Sequence, residues 1–288
     1  MKEMFVERKF LGTSLALIEK CDEIVQDYQA QGLRLTLRQL YYQLVSRNII
    51  ENKERSYKNL GSLVSDGRLA GLLDWGAIED RVRVPQVPNE FSGLPELAEA
   101  ALAAYRLPRW EGQDHYVELW VEKDALAGVL RPLAAEFHVT LMVNRGYSSQ
   151  SAMYESAKRF DRASNQAYLT LFYLGDHDPS GEDMVRDVRE RLRMFGPDVD
   201  VVKVALTMAQ VQKYRPPPNP AKLTDSRARA YIEKFGPHSW EVDALDPATL
   251  ATLVRKALRS RVDQDKMDAV VAREGEDKKK LRDAVKSL

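Results

Sequence analysis

Two aspartates one residue apart, Asp176 and Asp178, close an apolar stretch of strand length in YLTLFYLGDHDPSG, Tyr168 to Gly181. Alternate residues of an extended chain point the same way, so the two carboxylates can converge on one cation. A third carboxylate, Glu122, follows a second strand-like run, YVELWV (Tyr116 to Val121), and precedes Lys123 and Asp124. Ligands of parallel α/β sheets gather at the carboxyl ends of the strands. Three oxygen donors, with no cysteine or well-placed histidine among them, suit a hard cation, Mg²⁺ or Mn²⁺, rather than zinc. His177 lies between the aspartates and is expected to point away from them, toward an outer position or solvent. Asp and Gly also favour turns for purely local reasons, so the loop alone admits a structural reading.

A second constellation lies upstream in TLRQLYYQLV, Thr36 to Val45. Thr36 and Gln39 have capping-box spacing, and Leu37, Leu40, Tyr41, Leu44 and Val45 form an apolar stripe at helical period. Tyr41 falls inside that stripe. Tyr42 falls roughly 130° from its centre, one helical turn beyond Arg38. Tyr41 is therefore expected in the core, and Tyr42 as a presented phenol beside a guanidinium.

The elements that must position these groups follow from periodicity. Helices are expected at about 13–30, from Thr36 onward and at 56–73, followed by Asp74 to Val84, where alternating Arg81, Val82, Arg83 and Val84 read as a strand or wing. Three short helices and a basic β segment are the layout of a winged-helix (CAP-like) domain, here residues 1–85. In that layout Lys58 and Arg68 on the polar helix face, and Arg81 and Arg83 on the wing, would contact DNA; small helical domains with other roles share the outline.

A linker at 86–112, marked by Pro88, Gly93 and Pro95, contains an Ala-rich helix. Four strand and helix alternations then indicate a parallel α/β domain at 113–210. The loop NRGYSS, Asn144 to Ser149, places Arg145 and Tyr147 on the carboxylate rim, with Gly146 permitting close backbone approach; a helix start capped by Ser148 or Ser149 is equally compatible. Residues 211–288 read as a helical C-terminal extension. In it Trp240, Val242 and Leu245 are expected in the core, Glu241 and Asp243 at the surface, with the active rim as the alternative, and the last lysine-rich residues as a frayed tail.

The whole chain bounds these readings. Its 288 residues allow about two domains. Lys plus Arg, 43, equal Asp plus Glu, 43, so a polyanion surface would need local segregation of charge. One cysteine, Cys21, leaves no internal disulfide, and no apolar run reaches membrane length, which together predict a cytoplasmic protein without membrane association.

Taken together, VEKDAL (Val121 to Leu126), NRGYSS and GDHDPSG (Gly175 to Gly181) resemble a Toprim domain, a family with a glutamate after its first strand and a DxD after its third. The arginine four residues before a tyrosine, with winged helix, linker, Toprim and helical extension in that order, resembles the A subunit of topoisomerase VI and its meiotic double-strand-break relatives, across about residues 30–245. Gln39 stands where the family is often acidic, and Asn144 and Ser148 depart from its glycine-lysine-glycine-tyrosine-proline loop.

The resemblance implies Mg²⁺-dependent double-strand cleavage in which Tyr42 attacks a DNA phosphodiester and becomes joined to the 5′ end. It implies a supporting role for Arg38, metal binding by Glu122, Asp176 and Asp178 with Glu122 also exchanging a proton, and phosphate contact by Lys123 and Arg145. It further implies a homodimer in which the tyrosine of one subunit meets the metal site of the other. No glycine-rich nucleotide loop is present, so ATP-driven strand passage would need a separate ATPase subunit. Two rivals remain: a hydrolytic Toprim nuclease of plasmid or phage defence type, with water in place of Tyr42, and a Mg²⁺-dependent phosphohydrolase using Asp176 as nucleophile.

Overall fold

The computed structural model describes residues 1–78, 88–144, 146, 148–164 and 167–285. The expected wing with Arg81 and Arg83, and the rim residues Arg145 and Tyr147, lie outside the described residues. The chain opens with three helices, α1 (Gly12–Ala30), α2 (Leu37–Ser46) and α3 (Glu54–Leu69). Ile18, Ile24, Leu40, Leu44, Leu60 and Val64 supply their shared core. The capping box starts α2 as the sequence predicts, Thr36 accepting from the Gln39 amide and Gln39 returning a bond to the Thr36 amide.

The helix α4 (Leu94–Ala104) leads to β1 (His115–Val121), α5 (Ala127–Phe137), β2 (Thr140–Val143), α6 (Gln150–Ala163), β3 (Tyr168–Leu174), α7 (Pro179–Met194) and β4 (Asp200–Ala205). The four strands form one parallel sheet in the order β2-β1-β3-β4. Both faces are covered, as all-parallel sheets require. Val117, Leu119, Val121, Phe172 and Leu174 face α5 and a later helix at Pro247–Arg259, while Trp120, Leu171 and Tyr173 face α6 and α7.

Next come α8 (Met208–Tyr214), a two-residue antiparallel pair β5 (Asn219–Pro220) and β6 (His238–Ser239) flanking α9 (Ala228–Phe235), then α10 (Pro247–Arg259) and α11 (Gln264–Val285). Of two sequence expectations for the extension, the burial of Val242 and Leu245 holds and the frayed tail does not. The sheet core continues through Val242, Leu245, Leu250, Val254 and Leu258, so this part of the extension packs as a layer of the α/β body. The tail is helical as far as Val285, because α11 packs on α4 and its buried Glu274 is held by Arg109 (2.9 Å) and Lys278 (2.7 Å). No helix among the described residues is long and apolar enough to cross a membrane.

Candidate active site at the carboxyl edge of the sheet

The central strands deliver their carboxylates to one place. The Glu122 amide donates to Leu174 O (2.9 Å), so the end of β1 lies beside the end of β3. Gly175 follows with no room for a side chain: an added Cβ would sit 2.6 Å from Tyr173 and 2.9 Å from Glu122 Oε2. At Gly181 a Cβ would lie 2.2 Å from the Asp176 carbonyl oxygen. The two glycines let the acidic loop fold back tightly on itself.

Asp178 ends that loop by capping α7. Its Oδ1 accepts from the Gly181 amide (2.6 Å) and Ser180 Oγ (2.9 Å), with Pro179 in the first helical position. The Asp176 carboxylate is almost wholly enclosed; Oδ1 accepts from the Val242 amide (2.8 Å) and Oδ2 pairs with Lys123 Nζ (2.9 Å). Glu122 Oε2 accepts from the Asp176 amide at 3.3 Å. Burial pushes the Asp176 carboxyl up to about 7, with Lys123 opposing the shift and Glu122 and Asp243 adding to it. Burial also raises Glu122, and the Asp178 charge raises it further.

Among the described residues no three His, Cys, Asp or Glu side chains are assembled as a metal cage. Glu122, Asp176 and Asp178 share a rim, but Asp176 is occupied by Lys123 and Val242. The donor chemistry nevertheless fits a hard divalent ion. Glu122 and Asp178 each use one oxygen, which leaves Glu122 Oε1 and Asp178 Oδ2 unengaged among the described residues. Their clustered charge is what a cation relieves.

The other half of the site differs from expectation in three ways. Tyr42 is buried, 4% exposed, rather than presented. The polar side of α2 is covered by the segment Trp240–Leu245, which lies some two hundred residues later in the chain and so leaves no trace in the local helical pattern. Glu241 and Asp243, expected at the surface, face inward, the Asp243 side chain with no exposure. Three donors converge on Glu241 Oε2: Tyr42 Oη (2.8 Å), Lys123 Nζ (3.0 Å) and the Arg38 guanidinium. Asp243 braces two of these, meeting Arg38 Nε and Lys123 Nζ at 3.1 Å each.

Arg38 also lies over the Tyr42 ring, 5.8 Å from its centroid. Burial and the Glu241 and Asp243 carboxylates nevertheless push the Tyr42 phenol well above its ordinary value, and Arg38 offsets them only in part. For Glu241 itself burial opposes ionisation, but Lys123 and Arg38 outweigh it and hold the carboxyl down at about 2.

His177 takes neither an outer position of the metal site nor solvent. It is buried with Nδ1 2.7 Å from Tyr231 Oη and packs edge-on against Phe235 and Trp240. Backbone bonds in both directions between His177 and Trp240 (2.8 and 2.9 Å) tie the acidic loop to the segment that holds Tyr42. One cavity of 350 Å³ is lined by Arg38, Tyr42, Asp176, Asp178 and Glu241 together.

Of the remaining basic candidates, Lys58 and Arg68 fall among the described residues. Lys58 is exposed on α3 and pairs with Glu54 (2.8 Å). Arg68 donates to Trp75 O (2.9 Å) and Ile78 O and lies over the Trp75 ring. Sequence reasoning allows Glu241 and Asp243 either the surface or the active rim, and favours the surface. The available signal is their alternation with the core residues Val242 and Ala244, which pins such a segment against the body of the protein. Neither a protein-family model nor a curated protein matches the chain.

Proposed function

We propose that the chain is a Mg²⁺-dependent DNA-cleaving enzyme of the tyrosine transesterase type, with a winged-helix amino-terminal domain and a Toprim-like α/β domain, working in the cytoplasm. The observation that carries this reading is the single cavity lined by the Tyr42 phenol and the Asp176 and Asp178 carboxylates. A divalent ion held by Glu122, Asp176 and Asp178 would neutralise phosphate charge and stabilise the departing oxygen. Lys123 and Arg38 would then be released from Glu241 and Asp243 to bind the phosphodiester.

In the reaction Tyr42 Oη forms a bond to phosphorus as the bond from phosphorus to O3′ breaks. The products are a 5′-phosphotyrosyl linkage and a 3′ hydroxyl. The phenol loses one proton and the 3′ oxygen gains one, so the exchange is neutral and reversible in principle. Two copies acting on opposite strands would yield a double-strand break, and strand passage would require a separate ATPase subunit.

One observation favours the hydrolytic nuclease instead. The Tyr42 phenol is buried and its pKa is raised, which suits a packing role better than a free nucleophile. Covalent trapping separates the two. Labelled duplex DNA, incubated with Mg²⁺ or Mn²⁺ and stopped with denaturant, is expected to remain on wild-type protein and not on Tyr42→Phe or Asp178→Asn. Cleavage without retention, lost in Asp178→Asn but kept in Tyr42→Phe, would establish hydrolysis.

A further inference from the structure

Lys203 interrupts an otherwise apolar edge strand. In β4, DVVKVA, it stands opposite Tyr173 of β3, and the register shifts between that pair and the next, Leu174 with Ala205. It shares a face of the strand with Val201, which packs in the core beneath α6 and α7. Only 11% of its side chain is exposed. A lysine so enclosed is almost never without partners, and here they all belong to the acidic loop or to the first turn of α7. Its Nζ donates to Asp176 O (2.7 Å), to Glu182 Oε1 (2.7 Å) and, at longer range, to Gly181 O (3.4 Å).

We propose that Lys203 is a positioning residue for the divalent ion of the acidic rim, holding the loop 176–181 closed so that the Asp176 and Asp178 carboxylates stay ready to bind it. The inference rests on the metal-dependent reading and adds what prepares its ligands. The two ends of the loop meet at the ammonium: a Cβ on Gly181 would lie 2.2 Å from Asp176 O, and Lys203 bonds to both residues. Asp176 O accepts no backbone hydrogen bond among the described residues. An inward carbonyl without a donor is unfavourable, so loss of the ammonium would let the peptide between Asp176 and His177 turn and the placement of the two aspartates change.

Lys203 acts from behind the site. It does not line the cavity that holds Tyr42, Asp176 and Asp178, and it grips the loop by its backbone. Glu182 links it to the other side of the loop, where His177 Nε2 lies 3.8 Å from the same Glu182 oxygen. Its charge also reaches Glu122: burial raises that carboxyl, and Lys203 is among the groups that oppose the rise. Toward a bound cation the two consequences of Lys203 have opposite signs. A fixed loop strengthens binding, as partners behind metal ligands do, whereas a nearby positive charge weakens it. Removing the ammonium therefore shows which one governs.

Calorimetric titration of the full-length chain with Mn²⁺, without DNA, makes the measurement. Lys203→Met is expected to weaken Mn²⁺ binding about 10–100-fold. Lys203→Arg, which keeps the charge and the donors, is expected to recover most of that affinity. Unchanged or tighter binding in Lys203→Met would overturn the proposal, even with a lowered melting temperature, since a structural role or a repelling charge alone gives that result. Lys203→Gln, whose amide ends one bond short of the ammonium and carries no charge, is the second variant should Lys203→Met not fold, and the same two outcomes apply to it. Asp178→Asn locates the ion: full affinity in that variant would place it off the rim and overturn the assignment. Absence of Mn²⁺ binding by wild type would reject the metal-dependent reading and this inference together, whereas wild-type binding that the Lys203 variants leave intact would reject the inference alone.

Discussion

Glu118 and Glu122 stand four residues apart, one inside β1 and one just past its end, and the protein treats them in opposite ways. Glu118 is fully buried and fully partnered. Arg159 grips both oxygens (2.7 and 2.9 Å), Trp120 Nε1 donates to one (2.8 Å) and Tyr116 Oη to the other (3.0 Å). Glu122 receives a single 3.3 Å bond, and its neighbours include the like charges of Asp176 and Asp178. A buried carboxylate that serves the fold is neutralised by its own chain, because an unpaired buried charge is costly. Carboxylates left short of partners at a strand end are instead poised for a cation from outside.

The largest expected effect breaks the structural half of that contrast. Arg159→Ala should cost about 3–5 kcal/mol by leaving Glu118 buried and unpaired, measured by denaturant unfolding. Asp176→Asn, by comparison, should leave stability within about 1 kcal/mol of wild type or raise it, since it removes a carboxylate that burial disfavours.

The second effect belongs to the rim. Saturating Mg²⁺ or Mn²⁺, at 100 times its dissociation constant, should stabilise the wild type by about 2.7 kcal/mol, roughly 5 °C or more in melting temperature. Asp176→Asn and Asp178→Asn should lose that increment. An identical shift in both variants would place the ion elsewhere.

A third test uses another paired carboxylate, Glu274. Burial opposes its charge, but Lys278, the Leu107 amide and Arg109 prevail and hold its carboxyl down at about 2. A depressed carboxylate contributes stability that is present above its unfolded pKa of about 4.3 and is lost as pH falls through the folded value. Glu274→Gln should therefore be less stable than wild type at neutral pH, with the gap closing between about pH 4.3 and 2. A pH-independent gap would mean that packing, not charge, is what the substitution removes.

The smallest effect is at Lys58. Its pair with Glu54 is exposed to solvent and contributes little to stability. If α3 faces DNA, Lys58→Ala should lower the slope of log affinity against log salt by about 1. An unchanged slope would remove α3 from the DNA-binding surface.

Local pattern made much of this legible. Apolar runs of strand length mark the strands, Thr36 and Gln39 the start of α2, and the positions of Asp176, Asp178 and Glu122 at strand ends the acidic rim. The burial of Tyr42 was not legible. A helical wheel sees one apolar stripe, whereas α2 is covered on a second side by Glu241 and Ala244, about two hundred residues away. The pairing of Arg38 and Lys123 with Asp243 is equally non-local. Such contacts are set by tertiary packing, on which sequence periodicity is silent.

The most direct test of the central claim is to find the bond. Adduct trapped from wild-type protein, digested with nuclease and protease, should carry its residual nucleotide on the peptide Gln39–Arg47, and fragmentation should assign it to Tyr42 rather than Tyr41. Efficient metal-dependent cleavage with that peptide unmodified, or modified at Tyr41, would contradict the account.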